Sequence, residues 1–222
     1  MSSGGGGIHY GRQALGEWRV LQDYAVPAFL GGVTVVPAHW LCQTLVADKP
    51  EGMIQVAVLG VGLQWFNMVL FLPFALARVV LPVLTDIAVE DSKGQSDVLL
   101  KSAIAANAII SMPVAAIIAF FSHDIMRVYG VSTPYASATL SLMVIASAVS
   151  ATCAPVGQVM IAKGKIWHGS MMNAGWALVY VFSAYLLLDL GALGVAIGLL
   201  IAYSCHSVWV CAWTWKNLRP AS

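Results

Sequence analysis

The second apolar run of the chain carries polar side chains at a spacing that could bind an anionic group. Gln64, Asn67, Phe71, Arg78 and Pro82 fall within about 60° of one another when successive residues are placed about 100° apart, as on a helix. The planar guanidinium of arginine forms two parallel hydrogen bonds with phosphate oxygens. We therefore hypothesise that Arg78 helps to hold an anion such as a phosphate near the cytoplasmic side. The alternative is that Arg78 extends its charge to the headgroups of the cytoplasmic leaflet.

Three further amides stand alone within other apolar runs, at Asn107, Gln158 and Asn173. A hydrogen bond between helices would explain each of them without a ligand. Binding of a polar substrate is the alternative for Asn107 and Asn173. The candidate substrate-binding residues are therefore Gln64, Asn67, Arg78, Asn107 and Asn173.

The sequence contains no set of side chains suited to catalysis, metal binding or cofactor binding. It has no G-x-S-x-G or H-E-x-x-H motif, no glycine loop that would cradle a phosphate, and no paired acids. His39 and His206 stand in apolar runs without a carboxylate nearby in their helices, which favours packing over a proton relay. The four cysteines also lie in apolar runs and form no C-x-x-C pair. These features predict a protein that is not an enzyme and that has neither metal nor cofactor.

The composition indicates which elements must position these residues. Of the 222 residues, 59% are hydrophobic and 9% are charged, whereas a soluble domain has about 25% charged residues. Six stretches are long and apolar enough to cross a bilayer, at 24–46, 53–72 with a continuation toward 88, 99–121, 138–161, 169–188 and 192–213. They lack the alternation of β-barrel strands. We predict an all-α polytopic membrane protein with six transmembrane helices. The net charge of +1 does not indicate nucleic-acid binding.

The positive charges predict how this bundle is oriented. Nine of the eleven Lys and Arg residues fall on one side, and Lys49 and Arg127 fall on the other. The side richer in positive charge is cytoplasmic, and an even number of spans then places both termini there. The predicted divisions are a cytoplasmic arm at 1–23, a six-helix bundle at 24–213 and a cytoplasmic tail at 214–222. Segment 122–129 alternates apolar and polar residues at helical spacing, which predicts a helix on the membrane surface.

Several stretches of the sequence resemble one family of membrane proteins. They are VPAFLGG and PAHW within 26–40, LQWFNMVLFLPFALARVVLPVLT at 63–85, MRVYG at 126–130, and GKIWHGSMMNAGWALVYV with LGALGVAIGLLIAYSCHSVW within 164–209. They resemble the second half of bacterial polysaccharide and O-antigen flippases, which belong to the multidrug/oligosaccharidyl-lipid/polysaccharide exporter superfamily. Members of that family have about twice as many residues and helices. The chain therefore resembles the second six-helix lobe of a two-lobe transporter.

The resemblance implies a function in the bacterial inner membrane. Such flippases move lipid-linked oligosaccharide, carried on a polyprenyl diphosphate, to the periplasmic leaflet for synthesis of surface polysaccharide such as lipopolysaccharide. Two lobes face each other across a cavity with basic residues. Gln64, Trp65 and Asn67 fall on the family's glutamine–tryptophan stretch, and Arg78 falls on the helix that follows. The implied partners are the lipid-linked oligosaccharide, membrane lipid and a second six-helix lobe, either a separate chain or a second copy.

Two other functions are also compatible with the sequence. A cation-coupled multidrug exporter of the same superfamily would be expected to carry carboxylates deep in its spans. Asp86 lies near the end of its run, which favours the flippase. The chain could also be a membrane scaffold or a fragment that does not transport.

Overall fold

The computed structural model describes residues 21–89 and 93–218 of the chain. These residues form helices joined by short turns, and no strand is found among them. A π-helical turn at Leu21–Ala25 leads into the first helix. The helices are α1 (Val26–Ala47), α2 (Gly52–Val89), α3 (Lys93–Phe120), α4 (Ser122–Val128), α5 (Ala136–Ala162), α6 (Ile166–Leu186) and α7 (Ala192–Leu218). A 3₁₀ turn at Leu188–Leu190 connects α6 to α7.

Five of the described helices are long and apolar enough to cross a membrane. The spans are Leu21–Ala47, Gly52–Phe71, Leu100–Phe120, Ala136–Ala162 and Ala192–Lys216, and they match five of the six predicted stretches. The prediction of an all-α polytopic fold is therefore confirmed. The remaining predicted stretch, 169–188, forms α6, which has 21 residues. His168, Ser170 and Asn173 lie in its first half.

The lobe is organised around α5, which packs against α2, α3 and α7. Its interior positions include several small residues, and Ala146, Ala148 and Ala151 are fully buried. Small side chains allow neighbouring helices to approach closely in a bilayer, where helix association depends on packing and hydrogen bonds. Pro155 lies within α5, and the helix continues beyond it to Ala162. α5 therefore holds the other elements in place.

α6 and α7 form a close antiparallel hairpin. A methyl group added at Gly198 would lie 2.8 Å from the backbone nitrogen of Ala184. One added at Gly175 would lie 2.7 Å from the indole ring of Trp209, nearer the other end of the pair. The two helices are therefore in contact along much of their length. α1 completes this side of the lobe by packing against α6 and, less extensively, against α2.

The predicted division into a cytoplasmic arm, a bundle and a cytoplasmic tail stays a prediction. Residues 1–20 of the predicted N-terminal arm lie outside the described residues, and α7 continues as far as Leu218, into the predicted tail. α4 forms where a surface helix was predicted, with Ser122 and Met126 buried. Its exposed residues include His123, Asp124 and Arg127. This distribution is typical of an amphipathic helix, and its location on the membrane surface stays a prediction.

Candidate functional site

The buried face of α2 fixes which of its side chains can reach a ligand. Val58, Leu59, Phe66 and Leu70 are buried, and α2 packs most closely against α5. The hydroxyl of Ser147, on α5, donates a hydrogen bond of 2.7 Å to the carbonyl oxygen of Phe66. This bond lies in the core, where no water competes for either group. It sets the rotation of α2 about its own axis.

The opposite face of α2 presents the predicted polar side chains on the outside of the lobe. Gln64 and Asn67 are both exposed, and Phe71, one turn further along, is 73% exposed. Within the described part of the chain, neither amide is hydrogen-bonded to another residue. Gly60 precedes them, and a methyl group added there would meet no atom within 4 Å. The structure therefore brings Gln64 and Asn67 together on an uncovered surface, which we call the α2 stripe.

Arg78 follows on the same helix. α2 continues without interruption from Gly52 to Val89, so position 78 lies on the same helix as Gln64 and Asn67, as the spacing predicts, and not on a following helix as the resemblance implies. The side chain of Arg78 lies outside the described residues. Its role in holding an anion, and the alternative of reaching lipid headgroups, both stay predictions.

Asn107 lies away from the α2 stripe, in the contact between α3 and α5. It is 4% exposed, and its side-chain nitrogen donates a hydrogen bond of 2.9 Å to the carbonyl oxygen of Ala151. Ser111, one turn later, donates to the carbonyl oxygen of Asn107 at 2.7 Å. These bonds agree with the interpretation that Asn107 joins two helices and needs no ligand. We therefore leave Asn107 out of the candidate site.

Asn173 has a similar role between α6 and α1. Its side-chain nitrogen donates a hydrogen bond of 3.3 Å to the carbonyl oxygen of Gly31. The hydroxyl of Ser170 donates to the carbonyl oxygen of Pro27, one turn earlier on α1. A methyl group added at Gly31 would lie 3.3 Å from the Ser170 hydroxyl, so the absence of a side chain there permits the approach. The Asn173 amide fastens α1 to α6, and the structure does not bring it to the α2 stripe.

A cluster of five rings occupies the interior where α1, α2, α6 and α7 meet. The imidazole of His39 lies 5.1 Å from the ring of Tyr180, 5.8 Å from Trp176 and 6.3 Å from Phe66, measured between ring centroids. Tyr203 stacks on Phe66 and Trp176 at 5.7 and 5.1 Å. The sequence does not indicate this cluster, because His39 and Tyr180 are 141 positions apart. No spacing within one helix indicates such a contact.

Two polar contacts join the turns at one end of the lobe. The ammonium of Lys49, after α1, lies 3.2 Å from a carboxylate oxygen of Asp189, before α7. The backbone N–H of Ala192 donates a hydrogen bond of 3.0 Å to the side-chain oxygen of Gln55, on α2. The α1–α2 turn and the α6–α7 turn therefore lie at the same end of the bundle.

Comparisons with known proteins agree with this architecture. No family model matches the chain. The chain is 28% identical over 202 residues to the EPS I polysaccharide export inner membrane protein EpsE of Ralstonia nicotianae, covering 88% of this chain and 44% of the relative. It is 27% identical over 194 residues to the protein of the same name from Ralstonia solanacearum, covering 85% and 44%. The chain thus spans less than half the length of the curated relatives it matches.

Solved structures show the same fold. An outward-facing multidrug resistance MATE family transporter of the MOP superfamily superposes with a TM-score of 0.76 and 16% identity, over 90% of this chain and 46% of the transporter. A crystal structure of MATE in complex with MaL6 gives a TM-score of 0.72 at 16% identity, over 90% and 47%. These relatives are export proteins, in agreement with the prediction that the chain is not an enzyme. The resemblance indicated by the sequence is thus confirmed: the chain is similar to about half of two polysaccharide export inner membrane proteins and has the fold of one half of a MATE transporter.

Proposed function

We propose that the chain forms one lobe of a flippase that moves lipid-linked oligosaccharide across the bacterial inner membrane for synthesis of surface polysaccharide. The curated relatives named as polysaccharide export inner membrane proteins support this substrate class. In this proposal the α2 stripe of Gln64 and Asn67, extended by Arg78, faces the polar part of the substrate. The amides bind sugar hydroxyls, and the guanidinium binds the diphosphate.

The observation that carries this proposal is the exposure of two free amides on the outer face of a spanning helix. An amide transferred to hydrocarbon without a hydrogen-bond partner costs several kcal/mol. Gln64 and Asn67 are exposed on this lobe, and both lie inside the span Gly52–Phe71. A face of this kind is stable against a water-filled cavity or against polar groups of another bundle. It therefore favours a second six-helix lobe opposite α2, with the substrate path between the two.

The contacts between the turns support the proposed orientation. Lys49 and Asp189 pair at one end of the bundle, and the link at Lys163–Lys165, which joins α5 to α6, lies at the beginning of α6. Three spans, α2, α3 and α5, lie between Lys49 and Asp189, so α6 must be a fourth crossing for Asp189 to reach the same end as Lys49. Six crossings would put both termini on the same side of the membrane, and the distribution of Lys and Arg predicts that this side is the cytoplasm.

The test is export by a complete two-lobe transporter that contains this chain, in cells that need it for surface polysaccharide. Loss of one hydrogen-bonded charge contact costs about 1.5–3 kcal/mol, so Arg78→Ala is expected to reduce export by about tenfold to a hundredfold. Arg78→Lys keeps the charge but loses the planar fork and should be less affected. Gln64→Ala and Asn67→Ala should have smaller effects of the same sign.

Lys163→Ala is the matched control, because it removes an exposed positive charge near the same predicted membrane surface but away from α2. Membrane abundance of every variant is measured by immunoblotting. Normal export by Arg78→Ala at normal abundance would show that this arginine serves only as a lipid anchor. Unchanged surface polysaccharide in a strain lacking the chain, together with increased drug sensitivity, would instead support a multidrug exporter.

A further inference from the structure

The imidazole of His39 lies within the membrane span of α1 and has aromatic rings on several sides. Phe66 comes from α2, and Trp176 and Tyr180 come from α6, with ring centroids 5.1 to 6.3 Å from the imidazole centroid. Tyr180 is 1% exposed and Trp176 is 4% exposed, whereas His39 is half-buried. The imidazole therefore packs against buried aromatic rings on its inner side and is partly exposed at the lobe surface.

The hydroxyl of Tyr180 is a suitable partner for either protonation state of this imidazole. Its oxygen lies 3.3 Å from Nδ1 of His39. When Nδ1 is unprotonated, the tyrosine O–H donates to it. When Nδ1 carries a proton, the N–H donates to the tyrosine oxygen. Proton uptake thus reverses this hydrogen bond without leaving a buried group unpaired.

The reversed hydrogen bond requires another acceptor for the Tyr180 hydroxyl proton. Cys42 lies one turn after His39 on α1 and is buried in the same core cluster as Tyr180. Its sulfur is a weak hydrogen-bond acceptor. His39, Tyr180 and Cys42 therefore form a small group of polar side chains at the contact between α1 and α6.

The surroundings of His39 hold few other groups that could bind a proton. Cys42 faces the cluster from α1, Tyr180 from α6, and Tyr203 from α7 through its stacking on Trp176. α2 contributes Phe66, which does not titrate. The Lys49–Asp189 ion pair lies beyond the end of α1, about 15 Å along the helix from His39 at 1.5 Å per residue. A charge on His39 would therefore have the neighbouring aromatic rings, Trp176 and Tyr180 foremost, as its nearest surroundings.

We propose that His39 is a proton-binding site, caged by Phe66, Trp176 and Tyr180, at which pH sets the charge of the contact between α1 and α6. When His39 is protonated, the imidazole holds a proton taken from water, and the Tyr180 hydroxyl turns toward Cys42. The site lies in the interior of the lobe rather than on the α2 stripe. It does not depend on the substrate proposed above, so a failed export assay leaves it unaffected.

The test is a fluorescence titration of the purified chain in lipid nanodiscs. A protonated imidazole next to an indole quenches its emission, so Trp176 reports the charge of His39. Tryptophan emission of the wild type is expected to fall reversibly as pH is lowered from about 8 to about 4. This decrease in tryptophan emission should be absent in His39→Gln, His39→Phe and Trp176→Phe. His206→Gln is the matched control, because that imidazole lies on α7 outside the cage, and it should keep the fall.

Tyr180→Phe gives a second, independent measurement. A hydrogen bond from a charged donor is stronger than one between neutral groups, so loss of the hydroxyl should move the midpoint to lower pH. Thermal unfolding identifies any variant that does not fold. Absence of a titration in the wild type, or the same titration in His39→Gln as in the wild type, would overturn the proposal. If the pH midpoint of the emission change is the same in folded Tyr180→Phe as in the wild type, Tyr180 is not the hydrogen-bond partner of protonated His39, and this part of the proposal is wrong.

Discussion

The side-chain oxygen of Gln55 caps α7 by accepting a hydrogen bond of 3.0 Å from the backbone N–H of Ala192. The first N–H groups of a helix have no partner within the helix, and Gln55 supplies one from the first turn of α2. The neighbouring residue, Gly191, has a backbone φ of +58°, which glycine adopts without strain. The α6–α7 turn is therefore fastened to α2 through a side chain that is distant in sequence.

Gln55→Ala is expected to lower the free energy of unfolding by about 1 kcal/mol, since it leaves a partly buried N–H unpaired. Lys49→Ala should lower it by less than about 0.5 kcal/mol, because an ion pair near the protein surface contributes little. Unfolding of the purified protein in mixed micelles by added SDS measures both values. Gln64→Ala is the control for removing a glutamine from α2. Equal values for Gln55→Ala and Gln64→Ala would contradict the capping role.

Gly198→Ala should destabilise the α6–α7 hairpin. The added methyl group would lie 2.8 Å from the backbone nitrogen of Ala184, so the two helices must move apart. Overpacking of this kind costs about 1–3 kcal/mol. The control is Gly157→Ala on α5, where a methyl group meets no atom within 4 Å. The same SDS unfolding assay compares the two variants, and equal midpoints would show that this contact is less close than described.

The amides Asn107 and Asn67 should respond differently to removal. Asn107→Ala breaks the buried hydrogen bond to Ala151 and should lower the free energy of unfolding by about 0.5–2 kcal/mol. Asn67→Ala should change it by less, because that amide is exposed and unpaired in the described part of the chain. Unfolding curves of the two variants measured side by side test this difference. A larger loss for Asn67→Ala would show that the stripe serves packing rather than binding.

Cysteine labelling in intact cells tests the topology. In a variant whose four native cysteines are replaced, cysteines at positions 49 and 189 should react with a membrane-impermeant maleimide from the periplasm. A cysteine at position 163 should react only after the cytoplasm is opened. The physical reason is the pairing of Lys49 with Asp189 at one end of the bundle. Labelling of positions 163 and 189 from the same side would mean that α6 does not cross the bilayer.

The helices of this protein could be predicted because a bilayer imposes a minimum length of apolar residues. The runs that include His39, Asn107 and Gln158 were therefore recognisable without any knowledge of their neighbours. The repeat along α2 also predicted that Gln64 and Asn67 share one face, and both are exposed in the structure. Such features depend on residues close together in sequence.

The partners of the polar residues were not predictable in the same way. The hydrogen bonds from Asn107 to Ala151 and from Asn173 to Gly31 join different helices. The apolar residues next to these amides in the sequence do not indicate which carbonyl oxygen accepts each bond. The same holds for His39, whose isolation in sequence suggested simple packing. Its contact with Tyr180 arises only when α1 lies against α6.

The polar residues in the first half of α6 have a consequence for how the protein is inserted into the membrane. The ribosome delivers α6 to the insertion machinery before α7, and its amide and hydroxyl groups disfavour release into lipid. Those groups are satisfied by Gly31 and Pro27, which belong to a helix already synthesised. Membrane integration of α6 is therefore coupled to its docking on α1, because without α1 in place the Ser170 hydroxyl and the Asn173 amide would lack these partners in the bilayer.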